Sequence, residues 1–216
     1  MTRRGDDART ALVDQAERLF AERGIEAVSL RDVSAAAGQR NHSAAQYHFG
    51  DRAGLVAAVY EARMQFVNER RYRCLREIDR AGRGDDVTAL VAAVVVPLVE
   101  VVAETNGWYG RFLARSRWDS FGAEVVAALP AVSSFRVTVE RLHHTLRHLP
   151  AAIRHSRTEQ LLTLVVGTIA GWEWAHHRGE RRLPVAVLTG ELIATGVAVL
   201  TAPVAMPSNV PADARS

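Results

Sequence analysis

From Arg40 to Arg52 the chain sets out His42, Ser43, Ala44, Gln46, Tyr47 and His48, with no acidic side chain between positions 39 and 48. Small hydroxyls, an amide and a phenol, unaccompanied by negative charge, suit the reading of nucleic acid better than bond-breaking chemistry. A Gln amide matches the donor–acceptor edge of adenine, and a Ser hydroxyl can serve either base type in a major groove. Tyr47, His48, Arg40 and Arg52 can reach the phosphate and sugar oxygens that position a protein on a duplex. On a helical wheel Ala45 and Phe49 lie one turn apart and face a core. Ser43 and Tyr47 point the opposite way with Ala44 and Gln46 beside them, while His42 and His48 lie nearer the core edge. An ordinary solvated helix would look similar, so the assignment depends on the elements around it.

Those elements fit. Ser29 followed by Asp32 has the spacing of a capping box, and Leu30, Val33 and Ala37 then share one side of a short helix. Gly38 can end that helix in the left-handed conformation. Asn41 is a good N-cap for the next one. Two short helices joined by a glycine turn make a helix-turn-helix, whose second helix enters a major groove. Asp51 can cap a long helix over about 52–80, with Leu55, Val59, Phe66 and Val67 inside and Arg63, Arg70, Arg71, Arg73 and Arg76 outside.

Residues 8–60 resemble the N-terminal domain of the tetracycline-repressor (TetR/AcrR) family of bacterial transcription regulators. The resemblance rests on a first helix with Leu12, Ala16, Leu19 and Phe20, then Gly24, Ser29, Ala37-Gly38, and Tyr47-His48-Phe49 with Arg52 and Leu55. Family members usually carry Tyr at the position of Gln46 and Lys at that of Arg52, and Gln39-Arg40-Asn41 makes the turn one residue longer. The resemblance implies an all-α protein with a DNA-binding domain at 1–52, whose DNA-binding residues include Ser29, and a helical effector-binding and dimerisation domain at 53–202. It implies a homodimer on a pseudo-palindromic double-stranded operator, acting as a repressor that an effector releases. The alternative is a helical small-molecule-binding or scaffold protein whose head no longer reads DNA.

Composition limits the other possibilities. Every basic side chain among the 27 is Arg, and the formal net charge is only +3. Residues 1–52 hold eight Arg against eight acids, so the expected phosphate contact is a local basic edge of Arg3, Arg4, Arg31, Arg40 and Arg52. One cysteine, Cys74, excludes an intramolecular disulfide and cannot build a thiolate metal site. His144 and His148 have a metal-ligating spacing, yet no carboxylate or thiolate with matching spacing completes a site. With no phosphate loop, nucleophile elbow or His-Glu-x-x-His pattern, neither enzyme activity nor a metal or cofactor is expected. No apolar run follows Met1, and Leu161–Trp172 is too short to span a bilayer, so a cytoplasmic protein without membrane contact is expected.

Beyond the long helix the pattern stays helical. Gly82-Arg83-Gly84 breaks it; a helix over about 86–104 follows, in which Pro97 should introduce a kink. Two short aromatic helices end near Pro130, and an apolar stripe (Val132, Phe135, Val139, Leu142, Leu146, Leu149) stops at Pro150. Helices over about 156–179 and 184–202 come next, and residues 203–216 read as a Pro-rich disordered tail. The closing helices are apolar all round, with Gly167, Gly171 and Gly196 allowing close approach, which suits pairing with a second copy. Phe66, Trp108, Phe112, Trp118, Phe121, Phe135 and Trp172 are the expected lining of a site for a small, largely apolar or aromatic effector, with Arg111, Arg115 or His143 to orient an acidic group.

Overall fold

The computed structural model describes residues 3–105, 107–129 and 133–204, with side chains described from residue 6 onward. Among the described residues the chain forms ten α-helices: α1 (Arg3–Arg23), α2 (Leu30–Ala36), α3 (Ala44–Phe49), α4 (Arg52–Arg80), α5 (Val87–Thr105), α6 (Tyr109–Trp118), α7 (Ser120–Ala128), α8 (Ser133–Thr145), α9 (Ala151–His177) and α10 (Val185–Thr201). The architecture is all-α, as the sequence predicts. Most of the expected tail, from residue 205, lies outside the described residues, as do Pro130 and Val132. Pro203 is described, and its carbonyl accepts from Arg157 Nη2 at 3.1 Å.

The head is α1–α3 packed on the first turns of α4. Leu12, Ala16, Leu19 and Phe20 of α1 are buried together with Val33, Ala45, Leu55 and Val59. The capping box forms: Asp32 N–H donates to Ser29 Oγ at 3.2 Å, and Ser29 N–H donates to Asp32 Oδ2 at 2.9 Å. Gly38 sits at φ +65°, so it reverses the chain where a side chain would be strained. The second short helix begins later than expected. Asn41 does not cap it; its Oδ1 accepts from the Ser43 N–H at 2.9 Å, a side-chain turn that competes with helix initiation. α3 therefore starts at Ala44, with Ser43 at its N-cap but making no side-chain capping bond.

The body is organised around α5. It is apolar enough to cross a bilayer by length and composition, but eleven of its residues are buried against the surrounding helices, making it the central core helix. Pro97 lies inside α5 without ending it. Because proline has no N–H, the Ala93 carbonyl one turn earlier loses its helical donor. Arg71 of α4 supplies another, with Nε donating to Ala93 O at 3.0 Å.

The structure revises several expectations. Arg71 is buried, not outward, because its guanidinium finds acceptors in the α5 backbone. Phe66 is 47% exposed in place of the inner position its spacing suggested. On α8, Ser134 and Thr138 are buried alongside Leu142, since both hydroxyls have hydrogen bonds, whereas Phe135 and Val139 are half-buried. α9 starts at Ala151, directly after Pro150, whose fixed φ admits the chain into a helix earlier than the apolar pattern indicates. Gly196 serves contact within the chain: a Cβ there would lie 2.7 Å from Leu161 Cδ1 and 3.0 Å from Val91 Cγ1.

Candidate functional site

α3 presents its polar side outward. Tyr47 is 84% exposed; His42, Ser43 and Gln46 are exposed with it, and Arg40 stands exposed just before them. Ala45 is fully buried and Phe49 half-buried beneath the guanidinium of Arg9, 5.3 Å from the ring centre. Ala44 departs from the expected outward set: it is half-buried against the core. His48 packs edge-on to Tyr47 at 5.3 Å between ring centres, which restricts the phenol. Ser29, at the N-cap of α2, is exposed, and Arg52, the first residue of α4, is half-exposed. Arg31 is exposed, while the side chains of Arg3 and Arg4 lie outside the described residues.

Two contacts that the sequence reading missed hold α3 in place. Ser34 on α2 donates to the Leu30 carbonyl and accepts from the Ala45 N–H at 3.0 Å, so a buried hydroxyl of one helix caps the next. At the other end a Cβ on Gly54 would stand 2.1 Å from the Phe49 carbonyl oxygen, so only glycine lets α4 start so close beneath α3. Ser34 falls on the same helix side as Leu30 and Ala37, the one available hint that it faces inward.

A second site lies in the body. A cavity of about 390 Å³ is walled by Tyr60, Met64 and Arg71 of α4, Val94 and Leu98 of α5, Leu113, Ser116 and Arg117 of α6, Val126 of α7, Phe135 and Arg136 of α8, and Leu162, Val165 and Val166 of α9. Its wall is mainly apolar. Burial pushes the Tyr60 hydroxyl up to about 12 and pulls the Arg71 guanidinium down to about 10.

Of the seven aromatics expected to line an effector site, only Phe135 reaches this cavity. Phe112 is fully buried between Phe20, 6.2 Å away, and Tyr109, 6.0 Å away, so it packs the junction of α1 and α6. Trp118 is 76% exposed, and Phe66 lies on a surface groove with Arg9 and Val13. Trp172 donates its indole N–H to the Leu183 carbonyl at 2.7 Å, and Trp108 stacks on His177 at 3.7 Å. Phe121 is half-buried against the core. Arg111 rests 3.8 Å from the Trp174 ring centre, Arg115 is exposed, and His143 bonds Thr158 Oγ1. None of these three lines the cavity.

Head and body meet at the start of α6. Glu17 of α1 accepts from the Trp108 N–H at 3.0 Å and from Arg63 Nε at 2.8 Å. Glu173 of α9 accepts from the N–H groups of Gly110 at 3.1 Å and Arg111 at 2.8 Å. Carboxylates suit the N-terminal N–H groups of a helix. Burial nevertheless raises the Glu173 carboxyl to about 7, opposed by those two bonds and assisted by the Glu17 charge. Between them the Tyr109 hydroxyl is fully buried without a hydrogen-bond partner, and burial raises its pKa well above the usual value.

A capped helix pair that offers an exposed, acid-free polar face from a compact three-helix head defines a helix-turn-helix domain. Residues 12–59 match the profile of the bacterial regulatory proteins of the tetR family, so the likeness to that family lies in the head. No curated protein matches the chain significantly. Among solved structures, one from Rhodococcus sp. assigned to the TetR family of transcriptional regulators superposes with a TM-score of 0.54 at 17% identity, covering 90% of this chain and 100% of that one. A TetR-family transcriptional regulator from Pectobacterium atrosepticum gives a TM-score of 0.43 at 25% identity, with 93% and 94% covered. The first of these likenesses extends the agreement in fold from the head to the body.

Proposed function

We propose that this protein is a DNA-binding transcription regulator, acting as a homodimeric repressor. Two copies of α3 would read successive major grooves of a pseudo-palindromic operator, and a small, largely apolar effector in the cavity would release them. The supporting observation is that α4 belongs to both sites. Leu55 and Val59 in its first turns build the head core, and Tyr60, Met64 and Arg71 further along wall the cavity. A ligand that favours one placement of α4 thereby biases α3, by as much as its affinity differs between the two geometries. In this reading residues 1–52 contact DNA, with Ser29, Arg40, His42, Ser43, Ala44, Gln46, Tyr47, His48 and Arg52 at the interface, and residues 53–202 bind effector and partner.

Dimer formation is supported by the outer side of α9 and α10. Gly167, Gly171 and Gly190 are exposed, and a Cβ at each would meet nothing within 4 Å. Thr163, Ala194 and Ala198 extend the small-residue surface on the same two helices. A two-fold axis through such a surface sets two recognition helices about 34–36 Å apart, which one head cannot achieve alone.

The test is a fluorescence-anisotropy titration of the full-length protein against duplexes from its own upstream region at stated salt, with sedimentation on the same sample. A dimer that prefers one pseudo-palindromic duplex, and loses it on adding an apolar ligand, is the expected outcome. A dimer or monomer that treats all duplexes alike would overturn the DNA-reading assignment and leave a ligand-binding or scaffold protein.

A further inference from the structure

The cavity wall carries charge of one sign. Arg71, Arg117 and Arg136 contribute to it, and among the described residues no Asp or Glu does. Arg117 is neutralised from behind by Glu159 at 2.5 Å, and Arg136 spends its Nη2 on the carbonyls of Ala127 and Leu129 at the edge of α7. Arg71 differs from both. It is 3% exposed, and among the described residues no carboxylate lies within 4 Å of it. Its partners are neutral: Ala93 O, Val94 O at 3.4 Å, and Ser134 Oγ at 3.2 Å.

These contacts set the guanidinium in place without cancelling its charge. Ser134 Oγ in turn donates to Asn68 Oδ1, which leaves the serine's lone pairs for Arg71. Phe135 flanks the guanidinium at 5.7 Å from its ring centre, in the same cavity wall. Three of the five guanidinium N–H groups are occupied, so two remain for a ligand. The Tyr60 hydroxyl is also in the wall, within electrostatic reach of the guanidinium, and can donate beside it. A buried charge held by neutral dipoles alone is costly, and a matching anion in the same low-dielectric space offsets that cost.

On the reading of this cavity as the effector site, we infer that its occupant is an amphipathic monocarboxylate: an apolar body against Met64, Leu98, Val126 and Val165, with its carboxylate on Arg71 and Tyr60. The cavity, about 390 Å³, fits the small end of the usual range for small-molecule sites, about 300–1,000 Å³. Specificity then comes from two elements. The wall rejects polar bodies, and Arg71 rejects neutral and cationic heads.

The experiment compares probes of one apolar body. Decanoate, 1-decanol and decylamine, each below its aggregation concentration, are titrated into the purified protein by calorimetry at pH 7.5, as are 4-phenylbutyrate and 4-phenylbutanol. The carboxylates are expected to bind tighter than the alcohols by about ten-fold or more, as charge-assisted hydrogen bonds allow, and the amine is expected to bind most weakly. Arg71→Met should bring acid and alcohol to equal affinity, and Arg71→Lys should retain part of the gap. Equal affinity of acid and alcohol in the wild type overturns the inference while leaving an apolar effector site in place. A gap that survives Arg71→Met also overturns it, by moving the charge contact to Arg117 or Arg136. If Arg71→Met does not fold, the wild-type series and Arg71→Lys decide on their own. No binding by any probe removes the cavity from the functional reading altogether, with the DNA titration unaffected.

Discussion

The exposed helix of the head and the cavity of the body solve opposite problems with the same residue type. On α3 the polar side chains stand in solvent and gain from what they meet, while arginines nearby, Arg40 and Arg52, remain open to phosphate. In the body an arginine is taken out of water, held by backbone carbonyls and a serine, and left without a counter-charge among the described residues. The first site is built from one continuous stretch of about two dozen residues, the second from six helices spread over about a hundred. A contiguous site can be altered at its surface without disturbing the fold. An assembled site cannot, because its walls are also the core.

The largest effect should come from the seam between the two regions. Phe112→Ala empties a fully buried position between Phe20 of the head and Tyr109 of the body. A loss of about 3–5 kcal/mol is expected for a buried aromatic, measured by denaturant unfolding at fixed protomer concentration. A loss below about 1 kcal/mol would mean that head and body are packed far less tightly than these contacts indicate, and the comparison would become one of separate units. Next comes the proton dependence of that seam. Glu173 has its carboxyl raised from near 4.5 to about 7 in the folded state, mainly by burial. The folded protein therefore holds this proton more tightly than the unfolded chain does. Its contribution to stability is greatest below about pH 4.5, declines as pH rises, and is lost above about 7, with a span of order 3 kcal/mol. Unfolding curves between pH 5 and 8 should show this fall, and Glu173→Gln should flatten it; an unchanged slope in the variant would assign the dependence to other groups.

Smaller effects are expected at the surface site. Gln46→Ala should cost about 1–3 kcal/mol of operator affinity if the amide makes a bidentate base contact, while leaving the unfolding midpoint and probe binding in the body unchanged. A variant that loses affinity equally for every duplex would reduce Gln46 to a backbone contact. Arg52→Ala should have the least selective consequence: weaker binding to all DNA and a salt slope shallower by about 0.9 for each phosphate contact removed. Anisotropy titrations between low and moderate salt measure it directly, and an unchanged slope places Arg52 away from the phosphates.

The legibility of the sequence follows the same division. Cap and turn chemistry is local, so Ser29, Asp32, Gly38 and Asp51 could be recognised from spacing, and α4 begins and ends as that spacing predicts. Asn41 misled because an Asn before a helix can either cap it or bend the chain ahead of it, and nothing local separates the two. Arg71 was legible by position and obscured by type. Met64, Val67, Arg71, Leu75 and Ile78 step by three and four along one buried side of α4, yet an arginine is usually read as solvated. The aromatics failed as markers of a cavity because ring size says nothing about whether a side chain fills a core, as Phe112 does, or bounds a space, as Phe135 does. That distinction is set by which helices meet, and they meet across more than a hundred residues of chain.

Pro97 places one further constraint on how this protein can change. Helix propensity alone disfavours proline in the middle of α5 by about 3 kcal/mol relative to alanine, so a search for a hardier protein would reach for Pro97→Ala first. That substitution gives the Ala93 carbonyl its own helical donor again, and Arg71 then competes for an oxygen it now holds alone. If the cavity takes an acid on Arg71, heat resistance and selectivity would pull in opposite directions at Pro97, a residue outside the cavity wall.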